Sequence, residues 1–200
     1  MSSAKAIIAP MTPEEYLAWE GKQLERHEYI DGVLRAMSGG SWNHNLIMGN
    51  LMRDVGMQIE RTNCKSFSLS HHVQASSTRY FYPDLGIVCE TPLFGEQEAL
   101  LNPVVLLEVL SPSTERYDRV NKFEWYREIE SLQEYFLVYQ DMALVEAFRR
   151  SREGSWVGST FTAYLGLEAE VVIESVGVRI PLRKIYAGVE LPSIVITPET

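Results

Sequence analysis

The stretch Tyr82–Tyr126, YPDLGIVCETPLFGEQEALLNPVVLLEVLSPSTERYDRVNKFEWY, decides how the chain folds. It holds an aspartate near the start of one apolar segment, a glutamate near the end of a second, and a lysine on the helical segment beyond them. These residues are Asp84, Glu108 and Lys122. A charged side chain beside a buried strand needs a partner, so the surrounding elements are expected to supply partners.

The most apolar segment of the chain, Pro103–Leu110, predicts a strand in the middle of a sheet. Its continuous run of Val and Leu is typical of burial on both faces. Glu108 closes that run. A carboxylate there costs several kcal/mol unless it is paired or bound to a metal ion, so Glu108 is either a functional residue or one half of a structural ion pair.

Asp84 belongs to the second of two predicted strands, Phe67–Ala75 and Arg79–Cys89. The turn residues 76–78 between them predict that the two strands pair antiparallel. Pro83 stands near the start of the second strand, where a missing N–H is tolerated. Strands disfavour aspartate, which marks Asp84 as a candidate site residue; the alternative is an edge-strand aspartate in solvent.

A helix is predicted over 115–130, following the turn at Ser111-Pro112-Ser113-Thr114. Its apolar residues recur at intervals of three and predict one buried stripe made of Val120, Phe123, Tyr126 and Ile129. Lys122 flanks that stripe. Periodicity alone favours an ordinary surface ion pair between Lys122 and Asp118, four residues earlier.

The N-terminal part of the chain predicts a capped helix followed by a hairpin. Thr12-Pro13-Glu14-Glu15 combines a capping box with proline at the first helical position. Asp31-Gly32, between β-prone arms, predicts a two-residue hairpin turn. Glu28, on the first arm, is either a solvated strand residue or a carboxylate directed at the site.

A second helix is predicted over 43–61, where apolar residues follow the spacing of one buried stripe and Ser41 or Asn43 can act as the N-cap. His44 is the first residue of that stripe. A single histidine in such a place is more often a hydrogen-bonded core residue than a ligand, so the helix pattern leaves both roles open.

After the helix predicted over 115–130, the pattern predicts mostly short strands. They are Glu134–Tyr139, a hairpin of Val145–Arg150 with Trp156–Tyr164, and Val171–Ile173 with Val178–Leu182, followed by a short helix over 182–188 and a loose tail from Leu191.

Composition predicts one soluble domain over residues 1–200, with an ordered core from about 11 to 191. The chain is 46% hydrophobic, and no run approaches the roughly 20 apolar residues of a membrane span. Cys64 and Cys89 fit neither a disulfide framework nor a zinc quartet, so free thiols in the cytoplasm are expected. The net charge of −9 speaks against broad electrostatic binding of nucleic acid, although local bases and metal ions can still handle a phosphate.

The two carboxylates meet if their strands run antiparallel. Asp84 and Glu108, with the backbone carbonyl of Val109 or Leu110, would then form an open oxygen site of the kind that Mg²⁺ prefers. A neighbouring Lys122 would orient or activate water and offset charge in a phosphoryl transition state.

Several motifs in a fixed order resemble the Uma2 family, also called DUF820. They are Glu28-Tyr29-Ile30-Asp31-Gly32, Met37-Ser38-Gly39-Gly40, Tyr82-Pro83-Asp84, Leu107-Glu108-Val109-Leu110-Ser111-Pro112-Ser113-Thr114, Tyr117-Asp118-Arg119, Lys122-Phe123-Glu124-Trp125-Tyr126 and Ser131-Leu132-Gln133-Glu134-Tyr135. The resemblance extends from about Met11 to Leu191. It implies an α+β fold with a restriction endonuclease-like PD-(D/E)xK core, in which helices flank a mixed central sheet, with an added N-terminal hairpin and C-terminal β-hairpins.

The resemblance also implies roles for individual residues. Asp84 and Glu108 match the two acids of the motif, and Mg²⁺ or Mn²⁺ is the implied cofactor. The superfamily lysine is expected two residues after the second acid, where this chain has Leu110. Uma2-like chains carry it on the following helix, which implies a catalytic Lys122. Glu28 matches a further acid, and His44 matches a possible ligand or proton shuttle.

The implied function is a metal-dependent DNA endonuclease that acts as a homodimer. The alternative is a non-catalytic nucleic-acid-binding or regulatory protein that retains the fold, which the acidic charge balance favours. A third hypothesis is a hydrolase of small phosphate esters, with aromatic residues lining its pocket; at helical spacing, such residues are more often core. These aromatic residues are Tyr82, Tyr117, Trp125 and Tyr126.

Overall fold

A computed structural model of the chain describes residues 6–8, 11–37, 39–68, 70–112, 114–156 and 161–192. Strands predominate, and four α-helices and one π-helical segment lie among them in the described part. In chain order the elements are β1 (Ala6–Ile8), α1 (Pro13–Glu20), β2 (His27–Ile30), β3 (Val33–Ala36), α2 (Trp42–Ile59), β4 (Cys64–Ser68), β5 (Val73–Ser76), β6 (Arg79–Phe81), β7 (Leu85–Cys89), β8 (Val105–Leu110), the π-helical segment (Tyr117–Lys122), α3 (Phe123–Tyr126), β9 (Glu134–Tyr139), β10 (Leu144–Arg149), β11 (Thr162–Leu165), β12 (Glu170–Ile173), β13 (Val178–Pro181) and α4 (Leu182–Ile185).

A six-stranded mixed sheet forms the centre of the molecule, with the strand order β11-β10-β9-β8-β7-β4. Its strands pair antiparallel except for β8 and β9, which run parallel in register from Val105 opposite Glu134 to Leu110 opposite Tyr139. All six residues of β8 are buried. This confirms the central strand that the continuous apolar run predicted.

Side chains of β8 alternate between two cores, one on each face of the sheet. Val105, Leu107 and Val109 pack with the apolar stripe of α2. Leu106 and Leu110 pack on the opposite face with Tyr126 of α3 and its neighbours. Because side chains alternate along a strand, Glu108 shares the α3 side with Leu106 and Leu110.

A second sheet carries the N-terminal hairpin, with the order β1-β3-β2-β6-β5. The Asp31-Gly32 turn is confirmed, with φ of 49° and 91° at its two residues, as a two-residue turn between right-twisted strands requires. The capping box at Thr12 is also present. Of the two possible caps for α2, the structure selects Ser41, whose hydroxyl accepts the N–H of His44.

The two strands predicted over 67–75 and 79–89 are each interrupted, which corrects that part of the prediction. β5 and β6 pair in the second sheet, whereas β4 and β7 pair in the central sheet. The break in the second strand falls at Pro83 and Asp84, because proline offers no N–H to a ladder. Asp84 therefore precedes β7 in the passage between the two sheets, and the predicted antiparallel pairing holds within each sheet.

The expectation of free thiols is wrong, because Cys64 and Cys89 form a disulfide. The two residues lie directly opposite each other at the ends of β4 and β7. The cysteine count could not reveal this pairing. The pairing depends on the register of β4 with β7, and β5 and β6 lie between these two strands in the sequence.

The C-terminal hairpins are confirmed where the structure describes them. β10 pairs with β11, and β12 pairs with β13 and leads into α4. Residues 157–160 of the predicted strand and residues 193–200 of the predicted tail lie outside the described residues. Among the described helices, none has the length and apolar character needed to cross a lipid bilayer.

Candidate functional site

A cavity of about 470 Å³ opens where the hairpin β2–β3, the start of α2, the strands β7 and β8 and the π-helical segment meet. Its walls contain four carboxylates, one lysine, one arginine and one histidine. These lining residues are Glu28, Asp84, Glu108, Asp118, Lys122, Arg35 and His44. The cavity therefore gathers every side chain that the sequence marked as a site residue, together with Asp118 and Arg35.

Asp84 reaches the cavity because the chain leaves the second sheet after Phe81 and enters β7 at Leu85, directly after Asp84. The antiparallel register of β7 and β8 sets Leu85 opposite Leu107, so Asp84 lies beside Glu108 and Val109. Asp84 Oδ2 accepts the backbone N–H of Val109 at 2.7 Å. The convergence of the two carboxylates, which the sequence made conditional on antiparallel strands, is confirmed.

Glu108 is 3% exposed, and its Oε1 accepts two hydrogen bonds. Lys122 Nζ and the hydroxyl of Tyr126 both donate to that oxygen at 2.9 Å. Burial raises the pKa of Glu108 well above its ordinary value, and the charges of Asp84 and Asp118 raise it further, while Lys122 opposes them. Glu108 therefore forms the ion pair that the sequence offered as one alternative, and it also lines the cavity.

Lys122 is the centre of the charged cluster. Its Nζ lies 2.8 Å from Glu28 Oε1, 2.9 Å from Glu108 Oε1 and 3.4 Å from Asp118 Oδ1. The three carboxylates raise the pKa of Lys122 well above its ordinary value, although burial by itself would lower it. An ammonium has three hydrogens, so these carboxylates can engage all of its donors.

The predicted surface pair between Lys122 and Asp118 is wrong in its setting, although the contact exists. Both residues are buried and lie on the inward face of the helix, in line with Tyr126. Val120, which the periodicity placed in the buried stripe, is 51% exposed. The helix turns through a π-helical segment from Tyr117 to Lys122, and apolar spacing based on an α-helix does not describe which residues face inward there.

Glu28 is buried and directed at the cavity, which excludes the solvated-strand reading. Its Oε1 contacts Lys122, and its Oε2 accepts the hydroxyl of Tyr117 at 3.0 Å. Its partners Tyr117 and Lys122 come from about 90 residues later in the chain, beyond any local pattern.

His44 approaches Asp84 from the first turn of α2. Its Nε2 lies 3.1 Å from Asp84 Oδ2, and its buried Nδ1 has no hydrogen-bond partner in the described part of the chain. Burial lowers the pKa of His44, but the hydrogen bond and charge of Asp84 outweigh it and hold the pKa above its ordinary value. Gly40 packs so closely on the ring that a Cβ there would lie 2.6 Å from Nδ1.

Asp118 also lines the cavity, although the sequence did not mark it as a site residue. Burial raises its pKa. Its position one turn before Lys122 was noted only as a surface pair. Of the four aromatic residues considered as pocket lining, only Tyr117 lines the cavity. Tyr126 does not line it, although its hydroxyl donates a hydrogen bond to Glu108. Tyr82 hydrogen-bonds Glu20, and Trp125 stacks on Phe81.

The cavity offers carboxylate oxygens, which are the ligands that a hard divalent cation takes. Within the described ranges, no three His, Cys, Asp or Glu side chains are arranged as a ligand set. Two carboxylates are nevertheless enough for a hard cation that keeps several waters. Four carboxylates against Lys122 and Arg35 leave an excess of negative charge, so Asp84 and Glu108 fit a divalent cation held in an open site.

The fold and this cavity define an α+β protein with a buried cluster of carboxylates around one lysine. Residues 13–182 match the model of the family Uma2, described as "Putative restriction endonuclease". The chain belongs to the Uma2 family.

Relatives of the chain are similar over most of their length. The uncharacterized protein slr1290 of Synechocystis sp. strain PCC 6803 is 33% identical over 187 residues, 93% of this chain and 96% of its own. The uncharacterized protein sll1609 of the same organism is 35% identical over 164 residues, 80% of this chain and 91% of its own.

A solved structure shares the fold. It is the crystal structure of a "putative nuclease belonging to DUF820" from Anabaena variabilis, with a TM-score of 0.73 and 14% identity. The alignment covers 90% of this chain and all of that chain. This likeness confirms the α+β fold that the sequence motifs implied.

Proposed function

We propose that this protein is a metal-dependent endonuclease that hydrolyses phosphodiester bonds in DNA. The observation that carries the proposal is the meeting of Asp84, Glu108 and Lys122 in one cavity. They arrive from a strand start, a buried strand and a π-helical segment, which share no local pattern. A purely structural ion pair would not need a surplus of carboxylates facing an open cavity.

The cofactor of this proposal is Mg²⁺ or Mn²⁺, held by Asp84 and Glu108 with the backbone carbonyl of Val109. When bound, such an ion supplies a Lewis acid and lowers the pKa of bound water. Glu108 is suited to it because a neighbouring cation would offset the burial that raises its pKa.

We propose that the other site residues orient the two acids, Asp84 and Glu108, and offset their charge. Lys122 orients Glu108 and Glu28 and offsets part of their charge. His44 fixes the carboxylate of Asp84 through Nε2 and can exchange a proton with solvent at the cavity wall. Glu28 is a further acid whose hydrogen bond to Tyr117 fixes its orientation.

The proposal includes a homodimer in the cytoplasm, where a DNA substrate is available and where reducing conditions would open the Cys64–Cys89 bridge. Two copies are suited to duplex DNA, because two cuts on opposite strands need two sites related by a two-fold axis. Sedimentation velocity at micromolar concentration tests this part. A single monomeric species, with or without DNA, would remove the dimer from the proposal.

The experiment that tests the proposal is cleavage of plasmid DNA and single-stranded DNA in Mg²⁺, in Mn²⁺ and in EDTA. Asp84→Asn, Glu108→Gln and Lys122→Met are each expected to lower the rate by at least about a hundredfold, the scale on which general acid–base and electrostatic groups act. Cleavage by all three variants at the wild-type rate would overturn it.

Two matched controls separate chemistry from folding. Glu134→Gln neutralises a buried glutamate on the neighbouring strand β9, where it pairs with Arg149. Asp54→Asn does the same for a buried aspartate that pairs with Arg53 on α2. Both residues lie outside the cavity lining, so cleavage is expected to survive in these variants.

A second candidate, a non-catalytic regulatory protein with this fold, is favoured by the net charge of −9. Calorimetry with Mg²⁺ and Mn²⁺ discriminates between the two. Metal binding that is lost in Asp84→Asn and Glu108→Gln supports the nuclease. Equal heats in the wild type and both variants, without DNA cleavage, would favour the regulatory protein.

A further inference from the structure

Arg35 is a cation of the cavity wall that neither the motifs nor the charge cluster explains. It stands on β3, opposite Glu28 of β2, and is half-buried. Its guanidinium carbon lies 3.5 Å from the centre of the Tyr117 ring. Tyr117 in turn donates its hydroxyl to Glu28, so the ring is held in place.

The guanidinium of Arg35 forms neither a hydrogen bond nor an ion pair with any residue that the structure describes; its described contact is the Tyr117 ring. Stacking occupies a face of the planar group, whereas all of its N–H bonds lie in the plane. The donors of Arg35 are therefore uncommitted beside a cavity that contains four carboxylates.

Lys122 cannot serve as the binding group for an incoming anion in the same way. Its ammonium already faces Glu28, Glu108 and Asp118. An anionic substrate must approach these carboxylates against their repulsion. Of the lysine and the arginine that line the cavity, Arg35 is therefore the one with donors available for that anion.

We propose that Arg35 binds the non-bridging oxygens of a DNA phosphodiester and positions the strand over Asp84 and Glu108. The planar fork of a guanidinium matches two oxygens of one phosphate. Tyr117 holds this fork from one face. The inference rests on the proposed function, because it names the group that recognises the substrate of that site.

A direct test observes the side chain of Arg35 by nuclear magnetic resonance. The Nε–H signal is assigned by its loss in Arg35→Met, and thymidylyl-(3′→5′)-thymidine, which has one phosphodiester, is titrated in with Mg²⁺ present. The signal is expected to shift with the dinucleotide and to stay in place with thymidine, which has no phosphate. A signal that shifts with neither compound would overturn the proposed role of Arg35.

A kinetic test uses DNA cleavage with a matched arginine. Arg35→Met is expected to raise KM by about tenfold, the scale of one charge-assisted hydrogen bond, while kcat changes little; Arg35→Lys recovers part of the loss. Arg26→Met is the control, because Arg26 is also half-buried and also faces a tyrosine ring, that of Tyr82, outside the cavity.

The two tests separate the failure of this inference from the failure of the proposed function. A wild type that cleaves DNA, with Arg35→Met equal to Arg26→Met in KM, overturns the role of Arg35 and leaves the nuclease intact. A wild type that shifts the Arg35 signal with the dinucleotide but cleaves no DNA retains the phosphodiester site and overturns the nuclease. A fall in kcat alone in Arg35→Met would also contradict a binding role.

Discussion

Lys122 illustrates how a single residue is defined by partners that local sequence does not contain. Its helix places Asp118 beside it, but Glu28 and Glu108 arrive from two different sheets. Apolar periodicity therefore assigned Lys122 to the surface, and only the family resemblance pointed to the site. Glu108 was predictable from physics, since a carboxylate in a continuous apolar strand is costly without a partner.

Removal of Lys122 is expected to destabilise the fold, because three buried carboxylates would lose their counter-ion. Lys122→Met should lower the free energy of unfolding by about 3–5 kcal/mol, measured by urea titration at pH 7. Lys184→Met is the control, as Lys184 is exposed and its 3.7 Å pair with Asp54 is worth at most about 1 kcal/mol. Equal losses in the two variants would contradict the cluster described here.

The pH dependence of that difference follows from the raised pKa of Lys122. A lysine whose pKa is higher in the folded state stabilises the fold fully below its unfolded pKa and loses this contribution only as the pH rises through the folded value. The gap between wild type and Lys122→Met is therefore expected to stay constant from about pH 6 to pH 9. A gap of at most about 1 kcal/mol throughout this range would place the lysine in a solvated setting.

His72 is expected to make the protein less stable in acid. Burial, with smaller contributions from His71 and Arg26, lowers its pKa to about 4, and its Nε2 has no partner in the described part of the chain. The neutral ring thus stabilises the fold above pH 6.5, and this contribution is lost as the pH falls from 6.5 to 4. Partial exposure of the ring limits the loss to at most about 3 kcal/mol.

Unfolding free energies measured between pH 4.5 and pH 7.5 check the role of His72. His72→Gln should flatten the acid branch of the stability profile, whereas His71→Gln, which keeps His72 in place, should preserve it. The same acid branch in wild type and His72→Gln would show that the ring is not the group responsible.

At the scale of elements, local signals predicted what local forces determine. The capping box at Thr12, the Asp31-Gly32 turn and the central β8 depend on residues within a few positions of one another, and all three are confirmed. The interrupted strands and the π-helical segment depend on which sheet or helix face is available. Apolar spacing does not encode that information, so Val120 was assigned to the core and is exposed.

The Cys64–Cys89 disulfide ties the edge strand β4 to β7 across 25 positions of sequence. Cys64→Ser is expected to lower the free energy of unfolding by about 3 kcal/mol under oxidising conditions, because the open chain regains the entropy of that loop. Adding dithiothreitol should bring the wild type down towards the variant. Two reactive thiols in the denatured, unreduced wild type would show that the bridge is absent.

At the scale of the whole molecule, the net charge and the charge of the cavity are both negative, whereas DNA-binding surfaces are usually positive. The chain has 27 acidic and 18 basic residues, and four of its carboxylates line the cavity. Affinity for a duplex comes chiefly from Lys and Arg that neutralise phosphates, so the general surface offers little. If the proposed function is right, the few positive groups that contact DNA must be local to the cavity, and the net charge alone could predict neither their number nor their place.

The proposed nuclease is therefore expected to bind DNA only with a divalent ion and with a shallow salt dependence. A fluorescein-labelled 20-base-pair phosphorothioate duplex, whose linkages resist hydrolysis, should bind the wild-type protein in Mg²⁺ and not in EDTA when followed by fluorescence anisotropy. Each phosphate neutralised by a side chain steepens the slope of log K against log salt by about 0.9, so a cavity that relies on Arg35 should show a slope near that of one or two contacts. Arg35→Met should remove about one contact from it. Strong binding in EDTA with a slope of many contacts would instead require a basic surface elsewhere on the molecule, and it would detach DNA binding from the carboxylate cavity altogether.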